Sequence, residues 1–412
     1  MAVLLSKKSS KRTISPSFNA SGIDFIGIVF GPDFFIYRPM TPMLEDALFT
    51  LLRIGLGVAE PQPSGLALSA EDWERLYSMA GEQSVLGIAY AGIERLPKDA
   101  QPPMELAFQW ASEAETVRGH NRLVNAEASR LTEFFAAAGR KTAVLKGPAN
   151  AMLYPDPLSR QCGDIDLWVE GGRKSVLDLL KEKNLIAGEH SLMMLYAAPH
   201  HVDLAPGPDG IHVEIHFEPS SGNKDPFANR RMMRYLAGEI AKAGMAPGGF
   251  CVPSIKFALV MQLSHIQRHF ISTGIGLRQI VDYFVLLQNS TETDRAEVSA
   301  RLRAFGLSPM AGALMWVLGE KLGLERNRML CRPDGFRGRW LLSKAFAGGS
   351  FGHYAVEERG LVRRWIARRW RLLRCLPFAP AEVFWTGIDF VVMQVRSIPV
   401  RIRLRRLSLE GL

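Results

Sequence analysis

Gly163-Asp164-Ile165-Asp166-Leu167-Trp168-Val169 sets two aspartates two residues apart at the head of an apolar run. On a strand, residues two apart point to the same face, so Asp164 and Asp166 would stand side by side. Two like charges a few ångströms apart repel, and burying them unpaired is costly. A divalent cation between them removes that cost. Oxygen-only ligands suit Mg²⁺ or Mn²⁺, which take one or two carboxylates and leave room for substrate phosphates. An Asp-x-Asp alone is common in turns, so its weight depends on what surrounds it.

Upstream, Thr142-Ala143-Val144-Leu145 is a short β-prone run that stops at Lys146-Gly147-Pro148. Gly147 suits a turn, and Pro148 suits the first position of a helix, where its missing N–H costs nothing. A short helix, roughly 149–154, is expected, then a turn through Pro155 and Pro157. Backbone N–H groups at such a strand–turn–helix junction favour phosphate. Lys146 would add a point charge there, and Arg160 could clamp phosphate oxygens from the other side. Downstream, Ile165 to Val169 reads as a strand, Lys174 to Lys183 as a helix, and Ile211 to Phe217 as a strictly alternating third strand. His212, Glu214 and His216 share one of its faces, so Glu214 could complete a three-carboxylate set. Taken singly, each feature also fits an ordinary surface strand or turn. Their order along the chain is what makes the set specific.

Leu145-Lys146-Gly147, Tyr154-Pro155, Arg160, Gly163-Asp164-Ile165-Asp166-Leu167 and Val213-Glu214-Ile215-His216 together resemble the bacterial uncharacterised nucleotidyltransferase family of the polymerase-β-like superfamily. The resemblance extends over roughly Leu51 to Leu287 and includes Gln83-Ser84-Val85. It implies metal ligation by Asp164 and Asp166, with Glu214 as the third carboxylate, and an NTP as co-substrate. The superfamily's usual turn is Gly-Ser or Gly-Gly. Gly147-Pro148 here removes a hydroxyl and a backbone donor.

The expected fold class is α+β: a small mixed-sheet nucleotidyltransferase core flanked by N-terminal and C-terminal helical regions. Residues 1–42 read as a disordered extension, 43–138 as helical, 139–250 as the α/β core, 251–358 as a helical domain and 359–412 as a basic amphipathic tail. Capping signals at Thr41-Pro42, at Ser69 with Asp72, and at Ser254 mark helix starts, and Gly139 closes a long helix from about Pro103. Further helices are expected near 254–270, 274–288, 293–305 and 309–322.

The net charge of +9 sits almost entirely in the tail: between Arg359 and Arg406 twelve arginines face Glu382 and Asp389. Interleaved with Trp365, Ile366 and Trp370, they make the composition of an interfacial helix, so an anionic membrane surface is an expected partner through residues 359–406. A helix docked on the core, its arginines lying over apolar surface, is the readier reading of the same composition. The surplus gives no strong case for nucleic acid. Four scattered cysteines without a Cys-x-x-Cys pair, and no apolar run of the roughly 18 to 20 residues needed to span a bilayer, point to a cytoplasmic protein, peripheral membrane contact aside.

His265 and His269, at helical i, i+4 spacing, are read as lining the nucleotide pocket rather than as a metal pair. Arg278 and Asp282 are read as a helix ion pair, and His200, His201 and Asp203 as a strand lead-in. The function expected is transfer of a nucleoside monophosphate from an NTP to a hydroxyl or phosphate acceptor, releasing pyrophosphate. The acceptor would be a sugar, small metabolite, peptide or protein. The alternative is a catalytically inactive nucleotide sensor or membrane tether on the same fold.

Overall fold

The computed structural model describes residues 42–62, 66–186, 200–205, 207, 209–348 and 369–403, and the statements below concern these. The expected extension over residues 1–42 lies outside them but for Pro42. Of the expected tail over 359–412, only 369–403 is inside.

Helix α1 (Pro42–Gly55) buries Leu44, Leu48, Leu51 and Leu52 on one stripe. In α2 (Ala70–Glu82) the Ser69 hydroxyl accepts the Asp72 N–H at 3.1 Å, as the capping pattern predicts. Helices α3 (Leu86–Ile93) and α4 (Met104–Ala137) follow. At 34 residues, α4 runs about 50 Å and stops at Gly139, φ +70°. Strand β1 (Thr142–Val144) leads to the single turn α5 (Pro148–Ala151), shorter than expected. Strand β2 (Ile165–Val169) and helix α6 (Gly172–Glu182) come next. Strand β3 (His201–Asp203) stands where only a lead-in was expected, and β4 (Val213–His216) is the alternating strand. Helix α7 (Pro226–Ile240) was not foreseen; Asp225 caps it by accepting the N–H groups of Phe227 and Ala228. A small hairpin, β5 (Gly244–Met245) and β6 (Cys251–Val252), precedes α8 (Ile255–Ser272), which Ser254 caps. Then come α9 (Leu277–Gln288), α10 (Glu292–Ser299), α11 (Ser308–Leu322), α12 (Gly335–Gly348) and α13 (Pro380–Arg403). The helix expected to reach residue 305 ends at Ser299, with turns beyond it.

The main sheet has the order β1-β2-β4-β3. β2 and β4 are parallel, and both edges are antiparallel, so the sheet is mixed as expected. Its register pairs Asp166 with Glu214, and His201 with His216. One face carries Ile165, Leu167, Val202, Val213 and Ile215, packed with Val124, Ala128, Leu131 and Phe135 of α4 and Val176 and Leu180 of α6. The opposite face carries the polar set.

A second, larger core joins α1–α3 and the start of α4 to α8–α12. The helical regions on either side of the sheet in sequence thus share one interior. Cys375, Phe378, Ala379 and Val383 dock the tail onto that core, while Phe384, Val391 and Val395 on α13 face solvent. No helix among the described residues is long and apolar enough to cross a membrane.

Candidate active site

The polar face of the sheet looks onto α8 and α9 across a cleft. β2 delivers Asp166 into it, and Asp164 stands just before the strand. Register brings Glu214 alongside Asp166 on the parallel neighbour. Asp164, His212 and Glu214 offer donor atoms within 4.8 Å of one another. The three carboxylates singled out by alternation therefore share one site, because parallel register aligns the faces of β2 and β4.

Lys146 reaches them from the end of β1. The Leu145 N–H donates to the Asp166 carbonyl at 2.9 Å, continuing the ladder past the strand. Its neighbour Lys146 then places Nζ 2.9 Å from Asp166 Oδ2 and 4.0 Å from Asp164 Oδ2. Burial alone would lower the lysine's pKa, but the carboxylates of Asp166 and Asp164 outweigh it and raise it. Gly147 turns the chain at φ +63°, and a Cβ there would sit 3.1 Å from the Asp164 carbonyl oxygen. Only glycine lets Lys146 and Asp164 come this close without strain. The following helix is a single turn, so the dipole invoked for this junction contributes little, and the Lys146 charge is the stronger attraction for an anion.

On its other side Asp166 meets His216, whose Nε2 is 3.0 Å from Asp166 Oδ1 and 3.3 Å from Glu214 Oε2. Burial opposes a charge on this imidazole, yet its hydrogen bonds to Asp166 and Glu214 push its pKa up to about 9. Asp166 is buried as well, and Lys146 and His216 together hold its carboxyl far below the usual range. Two protein cations thus attend three carboxylates.

The opposite wall comes from α8. His265, Arg268 and His269 line the cleft with His200, His201, Ser220 and Ser221. Burial, with the nearby positive charges, keeps these imidazoles neutral: His200 is pushed down to about 3, His269 to about 4, and His265 well below the usual value. His265 and His269 therefore line this cleft, on a helix to which the family resemblance extends. His200 and His201, read from the sequence as a strand lead-in with substrate contact as the alternative, line it too.

An adjoining cavity shares Lys146, Asp164 and His265 with this cleft and is further lined by Gly147, Arg160, Arg278 and Gln279. Arg160 does not stand ready as a phosphate clamp. Its Nε donates to Asp282 Oδ1 at 2.7 Å and its other arm to Oδ2 at 2.6 Å, deep inside the protein. The Tyr154 hydroxyl donates to the same carboxylate at 2.7 Å. Asp282 is thus taken by Arg160 and not by Arg278, four residues before it. Arg278 donates to the Gln161 carbonyl at 3.0 Å.

Two residues position the site: Asn121, which escaped the sequence reading, and Gln83, which entered it only within the family resemblance. Asn121, buried in mid-α4, donates to the carbonyls of Leu158 and Arg160 and accepts the Cys162 N–H, fixing the loop that leads to Asp164. Gln83 accepts the N–H of Leu277, the first residue of α9, at 3.0 Å. Only its buried polar character marks Asn121, and burial is not visible in the sequence.

The donors fit a divalent cation. Two acidic and histidine-containing groups converge here, and Asp166 Oδ2 is buried without a well-aligned hydrogen bond although Lys146 Nζ is near. No curated protein and no solved structure matches the chain. Residues 69–323, from the cap of α2 to the glycine that ends α11, do match a family, and the chain accordingly belongs to the family described as uncharacterised nucleotidyltransferase.

Proposed function

We propose that the cleft transfers a nucleoside monophosphate from an NTP to a hydroxyl or phosphate acceptor, with Mg²⁺ or Mn²⁺ held by Asp164, Asp166 and Glu214. The observation that carries this reading is the register of Asp166 with Glu214, beside Asp164 and Lys146, in a member of a nucleotidyltransferase family. A divalent ion bound there would supply charge neutralisation for the triphosphate and acidify the acceptor.

The residues of the chain divide the remaining tasks. Lys146 and Gly147 meet the triphosphate, and Arg278 lines the same cavity. Arg160 holds Asp282 and Tyr154 together beneath that cavity, acting on the substrate through its shape. The acceptor oxygen forms a bond to the α-phosphorus while the bond to the β-phosphate oxygen breaks. The acceptor's proton passes to Glu214, and pyrophosphate leaves. The histidine-lined cleft, with its neutral imidazoles, Ser220, Ser221 and Arg268, suits a hydroxyl-bearing acceptor that is neutral or anionic.

A second reading has a specific observation behind it. Lys146 and His216 already offset two of the three carboxylate charges, so the cleft could bind nucleotide as a sensor without turnover. Pyrophosphate release from the four NTPs, with Mg²⁺ or Mn²⁺ and a panel of hydroxyl acceptors, separates the two. Transfer predicts metal-dependent release that falls at least about 100-fold in Asp164→Asn and in Asp166→Asn. NTP binding that survives both substitutions, with no pyrophosphate formed, would establish the sensor instead.

A further inference from the structure

Three donors on the sheet are used only in part by the transfer reading. His201 on β3 stands directly opposite His216 on β4, and Glu214 lies two residues before His216 on the same face. A carboxylate and two imidazoles thus rise from adjacent, hydrogen-bonded strands, a rigid base for a ligand set.

Their donor atoms converge. His216 Nε2 is 3.3 Å and His201 Nε2 3.7 Å from Glu214 Oε2. Donors of all three lie within 4.8 Å of one another. An ion held tetrahedrally by bonds of about 2.0–2.1 Å spaces its ligands about 3.4 Å apart. The two observed separations lie on either side of that edge length, so along those two edges an ion needs only sub-ångström adjustment.

Burial and bonding point the same way. The His216 side chain is only 8 % exposed, whereas His201 and Glu214 keep 17 % and 22 % on the cleft side, where a further ligand could approach. Among the described residues His201 Nε2 makes no hydrogen bond, whereas His216 Nε2 is shared with Asp166 at 3.0 Å. The His201 nitrogen that faces Glu214 is therefore available to a ligand.

We infer that His201, Glu214 and His216 form a site for a transition-metal ion of borderline softness such as Zn²⁺, whose binding releases to solvent the Nε2 proton that His216 otherwise shares with Asp166 and Glu214. Mg²⁺ favours oxygen ligands in octahedral array, whereas imidazole suits zinc and its neighbours. Two histidines and a glutamate with a fourth position open is also the donor set of catalytic zinc centres. The inference rests on donor geometry alone and holds whether or not the cleft transfers nucleotides. Because Glu214 also belongs to the proposed carboxylate set, zinc at this site and full use of Glu214 by Mg²⁺ exclude one another.

The test uses the full-length chain, stripped with chelator and titrated with Co²⁺, whose visible absorption reports tetrahedral coordination. One Co²⁺ per chain is expected, displaced by stoichiometric Zn²⁺ and not by millimolar Mg²⁺. Loss of an outer-shell partner alone costs roughly 10- to 100-fold in metal affinity. His201→Ala and Glu214→Gln should each therefore weaken Zn²⁺ binding by at least about 100-fold, and Asp164→Asn should leave it intact. His216→Ala removes a buried partner of Asp166 and is prone to misfold, so His201→Ala, with its thermal melt checked, decides the matter. Absence of the tetrahedral band, or zinc binding that survives His201→Ala and Glu214→Gln, or zinc binding lost in Asp164→Asn, would overturn the assignment.

Discussion

Arg160 and Asp282 form a closed pair because neither reaches water and the carboxylate takes both arms of the guanidinium. Removing one partner strands a buried charge, which typically costs about 3–5 kcal/mol. Asp282→Asn should destabilise the protein by about that much, read as a lower urea midpoint with an unchanged slope. The pH dependence follows from the direction of the shift. Burial would raise the Asp282 pKa, but Arg160 holds it below the ordinary value. Its contribution is therefore complete above the unfolded carboxyl's pKa of about 3.9 and is lost as pH falls toward the lower folded value. The stability gap between wild type and Asp282→Asn should stay level from pH 7 to about 5 and close only below about 4. Sequence proximity pointed to Arg278 as the partner, because i, i+4 spacing is visible in a sequence. A contact 122 residues away is not. Asp164, Asp166 and Glu214 were legible for the opposite reason: alternation on a strand fixes the face of each side chain before any tertiary contact is known.

Helices α1 and α3 touch backbone to backbone, and the signs of two substitutions should show it. A Cβ on Gly92 would lie 2.2 Å from the Leu51 carbonyl oxygen, which cannot move without moving α1. Gly92→Ala should cost about 1–3 kcal/mol or more by forcing the pair apart. In α2, a Cβ on Gly81 meets nothing within 4 Å, so Gly81→Ala should instead stabilise by about 0.5–1 kcal/mol. Thermal melts of the two variants moving in the same direction would contradict this account. Most helices were legible because caps and apolar stripes are local. Strand β3 was missed because His-Val-Asp is short and poor in β-formers, and its pairing with β4 is what makes it a strand. Helix α7 did carry a signal, Asp225 as cap and Pro226 at the first position, that local reasoning could have used.

The family match begins at Ser69, yet the larger core begins with α1. Six residues of α1 are buried there, from Ala47 to Ile54. At about 1.5–3 kcal/mol for each large side chain, their burial is on the order of 10 kcal/mol, comparable with the whole net stability of a domain. A chain cut to residues 69–323 also loses α12 and the docked segment around Phe378. It should show no cooperative thermal transition and should bind a hydrophobic dye, whereas residues 42–403 should unfold cooperatively. A sharp transition in the shorter chain would refute the shared core. Sequence reading divided these helices into an N-terminal and a C-terminal region because periodicity says which face is apolar, not what covers it.

Lys146 and His216 give the carboxylate cleft an occupancy of its own charge, and so make it an exchanger rather than an empty receptor. An incoming cation must gain more from Asp164, Asp166 and Glu214 than the departing ammonium or imidazolium proton loses. A potassium or sodium ion carries the same single charge as the ammonium and offers none of its directed hydrogen bonds, so the exchange gains nothing. A doubly charged ion, above all one arriving with a triphosphate for Lys146 to turn toward, does gain. If the cleft takes the proposed divalent ion, the commonest monovalent cations would thereby be kept out by electrostatic competition, with no gate or moving part.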